Sequence, residues 1–224
     1  MVDLRASISA ESVRANLDCV RAEIAAAGRD PREVQILAAV KYVPGEQLGA
    51  LAQAGLTLLG ENRAQDLAVK ADAHPARFTW DFIGQLQSRR VRELLPYVRY
   101  LHSVASDSVL RQLERHASPA TTEVLVEVNV AGEPGKSGIS PQALGPFLAR
   151  CPVPVVGLMT MPPLAAAPEE SRPFFAGLRE LAQRHGLEHL SMGTSQDYLV
   201  AAQEGATIVR LGTRLYAAGG SSAS

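Results

Sequence analysis

One rhythm governs this chain. Short apolar runs recur at 34–41, 56–60, 78–83, 98–102, 123–128, 153–158, 188–190 and 206–209. Each is too short for a helix, and several are apolar at consecutive positions, the pattern of a strand buried on both faces. Between them the apolar spacing changes to steps of three and four: Leu48, Leu51 and Ala52, then Val109, Leu110 and Leu113, then Leu144, Phe147 and Leu148, then Phe174, Phe175, Leu178 and Leu181. Boundary residues fit helix ends: Ser106-Asp107, Ser140-Pro141 and Pro168-Glu169-Glu170 at starts, Gly55 and Gly205 at stops, and Thr194 or Ser195 capping the helix with Tyr198, Leu199 and Ala202. Helices are expected after Glu61-Asn62 through about Ala73 and after Gly84 through Leu95. Strand–helix alternation requires parallel pairing, and eight repeats point to closure as a single α/β (β/α)8 TIM barrel. An open doubly wound sheet is the alternative, because the fourth and seventh runs carry the faintest pattern. An amphipathic helix over 7–27, with Val13, Leu17, Val20 and Ile24 on one face and Gly28 as its stop, precedes the barrel as a lid or packing element. Residues 1–216 read as one domain and 217–224 as a frayed tail.

Composition narrows the function. The net charge of −1 and 5% aromatic content give neither the field nor the stacking surface for nucleic acid. No apolar run approaches the ~18 residues of a membrane span, and Met1 to Arg5 carry no signal-peptide pattern. Cys19 and Cys151 are far apart and form no metal or redox motif. His185 and His189 have helical spacing, but Gly186 between them ends the helix and no metal pair is expected. A reduced, cytoplasmic location fits.

In a barrel, residues at the carboxyl ends of the strands converge on one face. The first strand hands Lys41 to that face. A lysine at the dry end of a core strand is a candidate Schiff-base nucleophile, or simply a cation leaving the core for water. The seventh strand ends in Ser191-Met192-Gly193-Thr194-Ser195 and the eighth in Arg210-Leu211-Gly212-Thr213. Glycines that admit backbone, with hydroxyls beside them, make a phosphate cup there, or ordinary caps and turns. A lysine facing a phosphate cup suits pyridoxal 5′-phosphate, with Arg210 near the pyridine nitrogen and the ring a weaker electron sink than beside a carboxylate. Residues 130–137 resemble a P-loop, but Val130 stands where its first glycine belongs, so a hydrophilic loop over the barrel mouth, with Lys136 close to the ligand, is expected instead. Trp80 and Phe82 are assigned to the layer between sheet and helices, and Arg89, Arg90 and Arg92 to a solvated face.

These residues carry a resemblance over nearly the whole chain. Leu37 to Lys41, Gly60-Glu61-Asn62, Trp80 to Gln87, Val128-Asn129 through Glu133, Lys136 and Gly138, Gly157-Leu158-Met159, Leu190 to Gly193, Ser195, Asp197, and Val209 to Thr213 together resemble the pyridoxal phosphate homeostasis protein family. The resemblance implies a barrel like the N-terminal domain of alanine racemase, with Lys41 as the Schiff-base lysine. It implies Ser191, Ser195, Gly212 and Thr213, with Gly193 among them, at the phosphate, Arg210 at the pyridine nitrogen, and Asn62 and Met159 beside the ring. The sequence departs from the family at Val40, Asp81, Gln85, Thr194 and Tyr216-Ala217-Ala218. The family pattern implies a carrier in vitamin B6 homeostasis without established turnover; PLP-dependent apo-enzymes as recipients and a monomeric state are separate expectations. The alternative is a minimal PLP-dependent racemase, pairing Lys41 with Tyr42 or Tyr216 as second acid.

Overall fold

The computed structural model describes residues 8–217; 218–224, most of the expected tail, lie outside them. The eight strands close into one parallel barrel in sequence order. They are β1 (Gln35–Ala39), β2 (Leu58–Glu61), β3 (Thr79–Phe82), β4 (Val98–Val104), β5 (Glu123–Glu127), β6 (Val155–Met159), β7 (His189–Thr194) and β8 (Ile208–Leu211). β1 closes the ring on β8 with Ile36 opposite Val209 and Leu37 opposite Arg210. The fourth and seventh strands, faint in the sequence, run on to Val104 and Thr194.

The helices are α1 (Ala10–Ala26), α2 (Leu48–Gln53), α3 (Ala64–Ala73), α4 (Val91–Leu94), α5 (Asp107–His116), α6 (Leu144–Leu148), α7 (Arg172–Arg184), α8 (Tyr198–Gln203) and α9 (Thr213–Tyr216). α1 buries Val13, Leu17, Val20 and Ile24, and the buried Asn16 amide donates to the carbonyls of Leu215 and Ala217. It is a packing element that pins α9. α4 is shorter than the sequence implied: residues 84–87 are not helical, because the chain bends at Gly84 and tucks Leu86 into the core before a 3-10 turn at Ser88–Arg90. Neither Thr194 nor Ser195 caps α8; Asp197 takes that position and its carboxylate receives the Thr194 N–H and hydroxyl.

The core has two compartments. The larger lies between sheet and helices and includes Trp80 and Phe82, as their assignment required. The smaller fills the barrel with Leu37, Tyr100, Leu125, Met159 and Ile208. The interior is not wholly apolar. Asp81, His102, Ser191 and Arg210 are buried within it, an unusual content for a barrel normally packed by branched apolar layers.

Candidate functional site

A cavity of about 410 Å³ opens at the carboxyl ends of the strands. Lys41, Asn62, Ser195, Arg210, Gly212 and Thr213, all expected from the sequence, line it together, joined by Ala39, Gly84, Met161 and Gln196 among others. β1 ends at Ala39, so Lys41 stands two residues beyond the strand. It is exposed, with Nζ 4.8 Å from the centre of the Tyr42 ring. The expected dry setting is therefore corrected: the lysine meets the cavity from a solvated turn.

That turn is held from below. The Lys70 Nζ of α3 donates to the carbonyl of Val40 at 2.7 Å and to Glu61 Oε2 at 2.6 Å. Glu61 Oε1 accepts the Asn62 N–H at 2.7 Å. Glu61 is fully buried and Lys70 nearly so. One buried ion pair thus fixes the backbone at two neighbouring strand ends, ahead of Lys41 and at Asn62. Sequence reasoning missed Lys70, which sits on a helix like any surface lysine. Gly84 brings a third loop close: a Cβ there would lie 2.1 Å from the Asn62 carbonyl oxygen.

Arg210 projects from β8 into the cavity floor. Nη1 donates to the Ser191 carbonyl and hydroxyl, both at 2.6 Å; Nη2 donates to the Thr160 carbonyl at 2.9 Å and contacts Met161 Sδ at 2.8 Å. Among the described residues nothing accepts from Nε–H, and no carboxylate pairs with the guanidinium. Burial pulls its pKa down to about 10, so it remains a cation at neutral pH with one donor unspent.

Three expected site residues lie elsewhere. Ser191 is fully buried behind Arg210, its hydroxyl also 2.9 Å from His102 Nδ1. Met159 packs inside the barrel, and the methionine at the cavity is Met161, past the end of β6. Gly193 has φ +91°, and a Cβ there would lie 2.5 Å from that of Ala201. It lets α8 approach β7 and does not line the cavity. Ser195 lines the cavity: its Oγ accepts from the N–H groups of Gly212 and Arg214 at 3.2 and 3.3 Å, leaving its own O–H to donate.

Below Arg210 a polar chain descends through the barrel. Asp81 receives His102 Nε2 at 3.0 Å, Arg99 Nε at 3.0 Å and Arg99 Nη2 at 2.5 Å; Arg99 Nη1 continues to Gln35 Oε1 at 2.7 Å. Burial would raise Asp81, but the hydrogen bonds from His102 and Arg99 outweigh it and hold the carboxyl below its ordinary range. Burial pushes His102 down, so it is neutral. With Asp81 accepting at Nε2, its proton sits there, and Nδ1 accepts the Ser191 O–H. Every bond then has one donor and one acceptor, from Arg210 down to Asp81.

The loop after β5 is tied to itself. Asn129 exchanges two hydrogen bonds with Glu133, Lys136 pairs with Glu133 at 2.6 Å, and Ser137 donates to Glu127. It does not line the cavity, which corrects the placement of Lys136 beside the ligand. The helix a P-loop needs is absent: a 3-10 turn starts only at Pro141. No group of metal-ligating side chains occurs among the described residues.

The alanine racemase N-terminal domain model matches residues 8–219. A pyridoxal phosphate homeostasis protein of Aquifex aeolicus is 40% identical, covering 85% of this chain and 89% of that protein. One of Pseudomonas aeruginosa is 36% identical, over 95% and 96%. The chain belongs to the pyridoxal phosphate homeostasis protein family. PipY of Synechococcus elongatus, solved with PLP bound, superposes with a TM-score of 0.77 at 30% identity, covering 91% of this chain and 99% of that one. Alanine racemase of Corynebacterium glutamicum shares the fold, with a TM-score of 0.71 at 19% identity over 97% of this chain and 64% of that one.

Proposed function

We propose that this protein binds pyridoxal 5′-phosphate, with Lys41 as the Schiff-base lysine, and acts in intracellular vitamin B6 homeostasis as a carrier without turnover. The convergence of Lys41, the unspent Nε–H of Arg210 and the hydroxyl cup on one cavity carries the reading. The cofactor's aldehyde supplies a carbon to which a primary amine can join, and Lys41 carries the one side-chain amine among the described residues that line the cavity. The Arg210 Nε–H suits a pyridine nitrogen lone pair. The Ser195 O–H and Thr213, beside Gly212, suit phosphate oxygens. Asn62 Oδ1 is buried without a partner among the described residues, and such orphans call for an occupant; a turned amide presents its N–H2 to the ring instead. PLP-bound PipY, a family member by shared fold and 30% identity, supports the same ligand.

The racemase alternative needs a second acid facing the lysine. Tyr216 is buried, is pushed well above its ordinary pKa by burial, and does not line the cavity. Tyr42 is 61% exposed beside Lys41. Neither is set across the cavity from the lysine, which favours the carrier, with PLP-dependent apo-enzymes as recipients. The proposal includes a monomer in the cytoplasm, where the two free thiols Cys19 and Cys151 are stable. Incubating the loaded protein with single L-amino acids and separating products on a chiral column tests it. No D-isomer is expected; sustained D-isomer formation that disappears in Lys41→Ala would establish the racemase.

A further inference from the structure

A second cavity, of about 510 Å³, opens at the opposite end of the barrel, where the strands begin. Its lining includes three arginines, Arg21, Arg32 and Arg99, with Thr57, Thr79 and Gln35. Leu17 and Leu56 give it an apolar floor, and no carboxylate is part of the lining. Each of these arginines pairs with an acid that is not part of the lining. Asp30 holds Arg32 at 2.7 Å, Asp18 reaches Arg21 only at 3.6 Å, and the buried Asp81 holds Arg99. Arg99 spends three of its five N–H groups on Asp81 and Gln35. Two remain, one on each terminal nitrogen, and a guanidinium with two unspent N–H groups is a fork for an oxyanion. Arg99 also lies over the Tyr100 ring, 4.2 Å from its centre, which fixes its plane.

We propose that this basal cavity is a second binding site, for a small metabolite bearing a phosphate or carboxylate group on an apolar body, and that its occupancy is felt at the upper cavity. The buried polar chain is the physical link. It begins at Arg99 in the basal wall and ends at Arg210 in the upper one, through Asp81, His102 and Ser191, with each contact at 3.0 Å or less. An oxyanion on Arg99 competes with Asp81 for the same guanidinium. Asp81 then leans on His102, which draws on Ser191, and the acceptor offered to Arg210 changes. Such a chain is a costly thing to bury unless every member is satisfied, and here it joins two cavities that are otherwise separated by the packed interior. The basal site stands on its own geometry. Its effect on the upper cavity rests on the cofactor reading above.

The test fills the upper cavity first. Protein loaded with pyridoxal phosphate and fixed by borohydride is titrated with inorganic orthophosphate by calorimetry, and separately with acetate. One further equivalent is expected to bind, and Arg21→Gln/Arg32→Gln, both at exposed positions, is expected to weaken it at least tenfold with no change in melting temperature. Phosphate binding alone or acetate binding alone names the headgroup. Binding of neither, or binding that the double variant leaves unchanged, overturns the site. Emission from the fixed cofactor should shift on saturation in the wild type and stay constant in Ser191→Ala, which still binds the anion. A silent wild type overturns the coupling. If borohydride fixes no cofactor, the upper reading fails instead, and the same comparison of wild type with the double variant, on apo-protein, decides the basal site.

Discussion

Replacing Lys70 with Met removes the cation that joins Glu61 to the Val40 carbonyl while keeping the aliphatic stem. The Glu61 carboxylate is then left at 0% side-chain exposure, in a pair where Lys70 itself had only 10%, with a single N–H from Asn62 as partner. Breaking one side of a buried pair costs about 3–5 kcal/mol, because the other charge stays desolvated. For a chain of this length each kcal/mol is roughly 2–4 °C in Tm, so a fall of roughly 6–20 °C is expected by calorimetry or circular dichroism. Glu61→Gln beside Lys70→Met tests the cause. The double variant carries no stranded charge, and a double-mutant cycle should return a coupling of about 1–3 kcal/mol. The Lys41 turn should loosen too, so Lys70→Met should take up less cofactor at a given concentration even below its melting range. A loss under about 1 kcal/mol, the value of an exposed pair, would show that water reaches Glu61 and that the pair does not hold the site.

Other outcomes follow from the same geometry. Gly193→Ala adds a Cβ at φ +91° and 2.5 Å from Ala201, so backbone strain of about 1–3 kcal/mol and overpacking of about 1–3 kcal/mol should appear in urea unfolding; Gly49→Ala, with open space around its Cβ in α2, should instead stabilise by about 0.5–1 kcal/mol. Stability should fall on acidification. His102, depressed below its ordinary 6.5, stays neutral in the fold while the unfolded chain takes up a proton, so loss begins as pH drops through about 6.5. Asp81, also depressed, extends the loss below the ordinary carboxylate range; unfolding free energies measured between pH 8 and 3 that stay flat would contradict both. Arg210→Gln removes a charged donor worth about 1.5–3 kcal/mol and should weaken pyridoxal phosphate binding roughly ten- to a hundredfold in a fluorescence titration.

The barrel was legible because its signal is redundant: eight apolar runs and their helical spacers agree, and the closure between β1 and β8 needs no long-range information beyond the count. The cavity residues at strand ends were legible for the same reason, since strand polarity alone sends Lys41, Asn62, Arg210, Gly212 and Thr213 to one face. What failed was side-chain direction. Ser191 and Met159 occupy strand positions that point into the barrel; two residues past Met159 the chain has left β6, so Met161 reaches the cavity instead. Gly193 looked like a ligand-approach glycine, and only the distance to Ala201 reveals its packing role. Lys70, Asp81 and His102 gave no local signal. Their meaning comes from partners 30, 18 and 89 residues away, and periodicity carries no such information.

The visible absorption spectrum of the purified protein with added pyridoxal phosphate, measured beside Lys41→Ala, decides whether Lys41 holds the cofactor. The wild type should develop a yellow band that borohydride bleaches, with the cofactor's mass retained on a peptide containing Lys41, and the variant should show no such band. A wild type that stays colourless in excess cofactor, or a variant that develops the same bleachable band, would contradict that assignment.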